Sequence, residues 1–479
     1  MSDLHYISAV DALTAFKKRT LSPVELLDAV ISRADRVEPV INAFYETHYE
    51  HAYEAACLAE ARYAKNSPVP PLPLDGLPTA VKGEEPVLSQ RWTLGSLYLQ
   101  NEVAPFTSPW IKRLEEAGAI FHARTTLPEF AMSYFCHSKI DGVTRNPWNP
   151  EYTPGGSSGG AGAALAAGTT TLASGSDIAG SIRVPASFCG VVGFKPPYGR
   201  IPMWTPFNLD TYCHVGPMTR TIADCVLMQN VAAGPHMDDA ISVSPRYVLP
   251  SRPEDIRGMR LAVSVDFGGS WPVDEEIRAN TLAAAAALRE AGAIVEEVHL
   301  VIEREDVKRA SAIHFAPLMG WINEHTAGRE SQANDYILHA SKVILDRARG
   351  AKPLEGEQLE AAISSRISHV LKRYDALLCP TLGSRGFIAG DGYIDRGLQV
   401  GEELLDFYWD ASLTIPFNIM SRCPVLNVPT GFARNGVPTG MQIVGRTYDD
   451  AVPFRVGAAL EGIRPWFDVR ERRPALLAV

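Results

Sequence analysis

Apolar residues recur at helical spacing over residues 8–19, which predicts a first helix. The stretch "SPVELLDAVISRADRV" predicts a second, with Ser22 as N-cap, Pro23 in the first helical position and Glu25 closing a capping box. A third is expected over 49–64, and the proline-rich "NSPVPPLPL" (66–74) then ends the helical region. Beyond it the pattern alternates. "LPTAV" before Lys82 reads as a buried strand, "SPWIKRLEEAG" as a helix opened by Pro109 and closed by Gly118, and "AIFHART" as a strand. Helices follow over 161–167, 219–233 and 275–291; strands are expected in "TTTLAS", "CGVVGFKP", "MRLAVSV", "AIVEEVHL", "YDALLCP", "CPVLNVP" and "TGMQIVG". Strands alternating with helices predict an α/β sheet covered on both faces. Residues 302–370 are mostly helical in pattern and read as a cap or insertion. The expected organisation is an N-terminal helical segment, 1–65, and a main unit, 66–479, packed as one body.

Composition narrows the function. The formal net charge is −10 and no Lys/Arg block occurs, which argues against nonspecific nucleic-acid binding. No apolar run approaches the ~20 residues of a membrane span, and the first twenty residues lack the pattern of a secretory signal. Seven scattered cysteines without a CxxC pair fit a reduced, cytoplasmic setting and suggest no metal site.

The chemistry concentrates in "TPGGSSGGAGAALAAG" (153–168), where Ser157 and Ser158 lie between glycine pairs. A linker would be polar on both sides, but a small-residue helix and a strand follow directly. A phosphate loop of the G-x-x-x-x-G-K-[ST] type lacks its lysine, and G-x-G-x-x-G is not met. The formal G-x-S-x-G match lacks the buried strand that a nucleophile elbow needs, since "NPWNPEYTP" precedes it. A second turn favours a nucleophile site of another kind. In "SGSDIAGSIRVPAS" (174–187) a strand runs into Asp177, Ile178-Ala179-Gly180 turn, and Ser181 stands where backbone N–H groups converge. Such a turn can hold a developing oxyanion. A serine needs activation near neutral pH. None of the twelve histidines lies within either turn. Lys82, ending an apolar strand, is the candidate base, because burial disfavours the charged ammonium.

These three segments together resemble the amidase signature family, whose pattern is a G-G-S-S-G-G turn followed about two dozen residues later by D-x-G-G-S-[IV]-R-x-P. Here Ser157 and Ser181 are twenty-four apart, and the resemblance extends through "LPTAVK", "RLEEAGAIFHARTTLPEFAMS", "GPMTRTIADC" and "CPVLNVPTGF". It implies a large mixed twisted β-sheet with helices on both faces, and a Ser–cis-Ser–Lys triad of Ser181, Ser157 and Lys82. It implies a cis bond between Gly156 and Ser157, and oxyanion donors from Ile178, Ala179 and Gly180 with Ser181. Ser158, Asp177 and Arg183 would support the turns, Met132 and Gly156 would border the substrate, and no cofactor or metal would be needed. Two departures stand out: Ala179-Gly180 replaces the usual glycine pair, and Gly83-Glu84 follows the lysine where an acidic residue is common. If residue 179 adopts positive φ, alanine is strained there.

The expected substrate is a small aryl or alkyl amide, with esters and carbamates accessible to the same acyl transfer. The aromatic stretch 201–214, with Trp321, Phe407 and Trp409, is a candidate pocket wall. The expected assembly is a monomer or homodimer without nucleic acid or membrane. Two alternatives remain at this point: the glutamine-hydrolysing component of a tRNA-dependent amidotransferase, and a non-catalytic binder of a small ligand.

Overall fold

The computed structural model describes residues 3–476. Its strands are β1 Phe44–Thr47, β2 Pro78–Lys82, β3 Ile120–Thr125, β4 His137–Ser138, β5 Gly142–Val143, β6 Leu172–Asp177, β7 Val192–Lys195, β8 His214–Thr219, β9 Arg260–Val263, β10 Ile294–Glu297, β11 Ala376–Pro380, β12 Leu398–Val400, β13 Glu403–Leu405, β14 Val425–Phe432 and β15 Pro438–Gly445. Eleven of them form one sheet in the order β1-β3-β2-β6-β8-β7-β14-β15-β11-β9-β10. The sheet is mixed: β3, β2 and β6 run parallel, as do β11, β9 and β10, while the strands between them pair antiparallel.

Side-chain alternation shows why this sheet needs cover on both sides. Along β11, Leu377 and Cys379 enter one apolar cluster and Ala376 and Leu378 enter another. The first cluster is closed by the helices Arg304–Thr326, Asp335–Ala348 and Glu355–Leu371. These three are the predicted helical region of 302–370. The second cluster is closed by helices Ile222–Ala232, Glu275–Glu290 and Ala451–Ile463.

The N-terminal region departs from an all-helical segment. Its helices Ala9–Lys18, Pro23–Ile41 and Tyr49–Tyr63 form as expected, and Ser22 makes the full capping box with Glu25. Between the last two helices, β1 adds an edge strand antiparallel to β3. Residues before 66 are therefore part of the main sheet. β8 also lies in a stretch whose pattern predicts no strand, because Gly216 and Pro217 interrupt it. Pro217 is tolerated because at that residue β8 pairs with β6 alone.

Topology positions the candidate chemistry. β2 and β6 are parallel neighbours, so their carboxyl ends, Lys82 and Asp177, emerge at the same edge. The helix Gly159–Ala167, buried at every residue, joins the first serine turn to β6. Ligands of α/β sheets bind beyond the carboxyl ends of parallel strands, and both serine turns lie there.

Candidate active site

Lys82 is fully buried at the end of β2, where its own N–H donates to Ser174 Oγ at 2.8 Å. Its Nζ reaches three oxygens: Ser157 Oγ at 2.8 Å, Ser176 Oγ at 2.6 Å and Glu84 Oε2 at 2.7 Å. The Ser176 hydroxyl also donates to Glu84, so the serine and carboxylate hold one another on the amine. The peptide bond between Gly156 and Ser157 is cis. Gly156 has no room for a side chain, since a Cβ there would lie 2.4 Å from the Phe135 carbonyl oxygen.

Ser158 ties the two turns together. Its N–H donates to the Ser181 carbonyl at 3.2 Å, and its hydroxyl exchanges bonds of 3.4 Å with the backbone of Ser176. The Ser181 hydroxyl has no hydrogen-bond partner among the described residues, and its side chain remains slightly exposed. Bonds of this kind are often open in unliganded sites and close on a substrate.

The turn after β6 is organised by Asp177. Its Oδ1 accepts from the Gly180 N–H at 2.8 Å and its Oδ2 from the Ile182 N–H at 3.3 Å. Arg183 meets the same carboxylate through two bonds. Burial by itself would push this carboxyl up, but the guanidinium and the Asn418 amide outweigh it and hold it well below the usual carboxylate range. Arg183 is anchored further on the Thr414 carbonyl, Gln442 and Asn418.

The left-handed backbone of the turn falls on Gly180, with φ at +126°, and Ala179 keeps an ordinary negative φ. The alanine that replaces the family's glycine thus sits where any residue is allowed. The Ala179 carbonyl accepts from Tyr134 Oη at 2.8 Å and from the Thr414 hydroxyl. The Gly180 amide is already committed to Asp177. The amides of Ile178, Ala179 and Ser181 take part in no bond within the turn.

Histidine does not reach the serines here. His214 lies opposite Asp177 in the β6–β8 register. Its ring nitrogens engage the carbonyls of Tyr212 at 2.7 Å and Ser421 at 2.9 Å. Burial, with the nearby Lys195 charge, pushes its pKa down to about 3.

The aromatic candidates divide. Trp409 packs beside Tyr134, ring centroids 5.6 Å apart, and Tyr212 stacks on His314 at 3.6 Å. Met132 belongs to the same apolar cluster as Tyr134 and Ala179. Trp204 instead packs against Trp92 and Phe207, and Trp321 lies half-exposed against Phe130. The stretch 201–214 is thus mainly a loop tucked onto the body, with Tyr212 alone of its aromatic residues in the cluster behind Ala179. Tyr134, Thr414, Asn418 and Gln442 escape a reading of the sequence. They come from three separate segments, and no spacing pattern links them to the serine turns.

Paired serine turns beside a buried lysine, at the carboxyl edge of a mixed sheet, define a class of amide-cleaving hydrolases. The sequence model of the amidase family matches residues 25–452, and the chain belongs to that family. It is 33% identical to an acylamidase of Rhodococcus erythropolis over 99% of this chain and 98% of that one. It is 32% identical to a component of the glutamyl-tRNA(Gln) amidotransferase of Geobacillus kaustophilus, over 97% of this chain and 98% of the relative. Among solved structures, a bacterial aryl acylamidase of the amidase signature family superposes with a TM-score of 0.89 at 27% identity, covering 99% of this chain and 100% of the other. The protein is an amidase signature enzyme, a hydrolase of the amide C–N bond. No helix among the described residues is long and apolar enough to cross a membrane.

Proposed function

We propose that this enzyme hydrolyses small aryl or alkyl amides through an acyl-enzyme on Ser181. The observation that carries the reading is the 2.8 Å contact between the buried Lys82 Nζ and Ser157 Oγ, on a turn bonded to the backbone of Ser181. In the attack, neutral Lys82 accepts the Ser157 proton while Ser157 accepts that of Ser181. Ser181 Oγ adds to the carbonyl carbon, and the negative charge collects on the carbonyl oxygen. The free amides of Ile178, Ala179 and Ser181 serve as its donors. The Gly180 amide, held by Asp177, fixes the shape of the turn. Each such donor is worth ~3–4 kcal/mol of barrier. Ser157 then returns its proton to the departing nitrogen, and water cleaves the ester by the same relay. The residues need no metal or organic group for these steps.

An aryl or alkyl acyl preference is supported by the aromatic surroundings of the turn, Tyr134, Trp409 and Tyr212, and by likeness to the two acylamidases. Met132 and Gly156 border this region, Met132 through apolar packing and Gly156 through its tight seat on the Phe135 carbonyl. The competing reading, glutamine hydrolysis within a larger assembly, is favoured by the relative that belongs to an amidotransferase. The test is a panel of acyl p-nitroanilides, primary amides, carbamates and glutamine with the purified chain alone. Turnover of anilides or simple amides, absent in Lys82→Ala and Ser181→Ala, is expected. Activity on glutamine alone, or only with partner proteins, defeats the acylamidase reading.

A further inference from the structure

The geometry points to Glu84 as a positioning residue that sets the charge of Lys82, a role that rests on the relay proposed above. The turn after β2 brings it there. The Glu85 N–H donates to the Lys82 carbonyl at 3.0 Å, which folds the chain back on itself. Trp92 Nε1 donates to the Glu84 carbonyl at 2.8 Å and holds that fold. Gly83 cannot carry a side chain, because a Cβ would meet Leu127 and Tyr45 at 2.7 Å. An acidic group directly after the lysine therefore has no room here, and the next residue supplies it from the open side.

Lys82 Nζ faces three oxygens, of Ser157, Ser176 and Glu84, and an ammonium has three N–H donors. This shell fits the charged amine. The relay needs the neutral amine, with its lone pair on Ser157. Transfer of one proton from Lys82 Nζ to Glu84 Oε2 breaks an N–H bond and forms an O–H bond with no change in proton count. The pair thus stores the proton beside the site, and the carboxylate charge decides the pH at which the amine becomes available.

The other charged and titratable neighbours do not take this part. Arg124 on β3 donates to the backbone carbonyls of Lys82 and Glu85. The Glu85 carboxyl is buried away from the serines without a hydrogen-bond partner, and its pKa is pushed up to about 7 by burial and then by Glu84. Cys213 and Cys136, also near, are buried thiols whose pKa values burial pushes up.

The test is the pH dependence of Ser181 labelling by a fluorophosphonate, which needs no knowledge of the substrate. In Glu84→Gln the charge is gone and the shape is kept. The acid limb of the labelling rate is expected to move to lower pH by about 1–3 units, the usual effect of an opposite charge at this range. Glu84→Asp keeps the charge, so its limb is expected at the wild-type pH even where its rate falls. A Glu84→Gln limb that coincides with wild type, or a Glu84→Asp limb that moves with that of Glu84→Gln, overturns the inference alone, provided Ser181→Ala is unlabelled. Labelling that persists in Ser181→Ala removes the relay itself and this inference with it.

Discussion

Arg183 and Asp177 form a two-point ion pair with no solvent exposure on either side chain, Nε to Oδ2 at 2.9 Å and Nη2 to Oδ1 at 2.8 Å. The same carboxylate holds the Gly180 amide, so the pair couples the stability of the fold to the shape of the oxyanion turn. Removing one partner leaves the other charge buried and uncompensated. Asp177→Asn is expected to cost about 3–5 kcal/mol in urea unfolding and to lower kcat. A loss under about 1 kcal/mol would show that the pair is not what holds the turn. The pH sign follows from the depressed carboxyl: the stabilisation is present above the unfolded pKa of ~4 and is lost as pH falls through the folded value. Wild type is therefore expected to lose this contribution on acidification, and Asp177→Asn to show a flatter acid limb.

Gly180 combines a φ of +126° with contact to Thr414, where a Cβ would lie 2.3 Å from Oγ1. Gly180→Ala is expected to cost about 1–3 kcal/mol in strain and to reduce kcat by at least ~10²-fold, because the turn must shift. Ala179→Gly, with no left-handed demand at that residue, is expected to leave kcat within about tenfold. Paired kinetics and melting curves check both, and equal effects at the two positions would contradict the assignment of the turn.

Ser176 shares its hydroxyl between Lys82 and Glu84. Ser176→Ala leaves the amine with two of its three oxygens. A net hydrogen bond to a charged group is worth about 1.5–3 kcal/mol, so kcat is expected to fall roughly 10–100-fold while KM stays near wild type. A change in KM alone would mean that Ser176 contacts substrate instead.

Glu85 is buried with both carboxyl oxygens unpartnered, and the Ser108 hydroxyl and Trp110 indole N–H beside it are unpartnered too. Its pKa, raised to about 7 chiefly by burial, gives a sign opposite to that of Asp177. The folded state keeps a proton that the unfolded chain releases near pH ~4. Its stabilising contribution is therefore full below ~4 and is lost as pH rises through about 7. Glu85→Gln is expected to be more stable than wild type by about 1–3 kcal/mol at pH ~8, with the gap closing near pH ~5. A gap that is constant with pH would show that Glu85 does not titrate in this range.

Much of this architecture is legible along the chain. The capping box at Ser22, the Pro109 helix start and the strand of 259–265 each depend on contacts within a few residues, and each is found. β1 and β8 are not legible, for different reasons. β1 has four residues, one of them buried, and pairs only because β3 offers an edge. β8 carries a glycine and a proline that a central strand tolerates only in this register.

The sequence by itself determined which residues carry chemistry: two serines on glycine turns, and a lysine at the end of an apolar strand. That information is local, because turn composition and strand alternation are written between neighbours. The tertiary structure alone decided that Lys82 meets a serine 75 residues away, and that Thr414 holds a carbonyl 235 residues distant. It also decided that the left-handed backbone falls on Gly180 and that Glu84 turns back onto the amine. Those relationships depend on strand register and on the packing of remote segments, which the distances between residues along a chain do not contain.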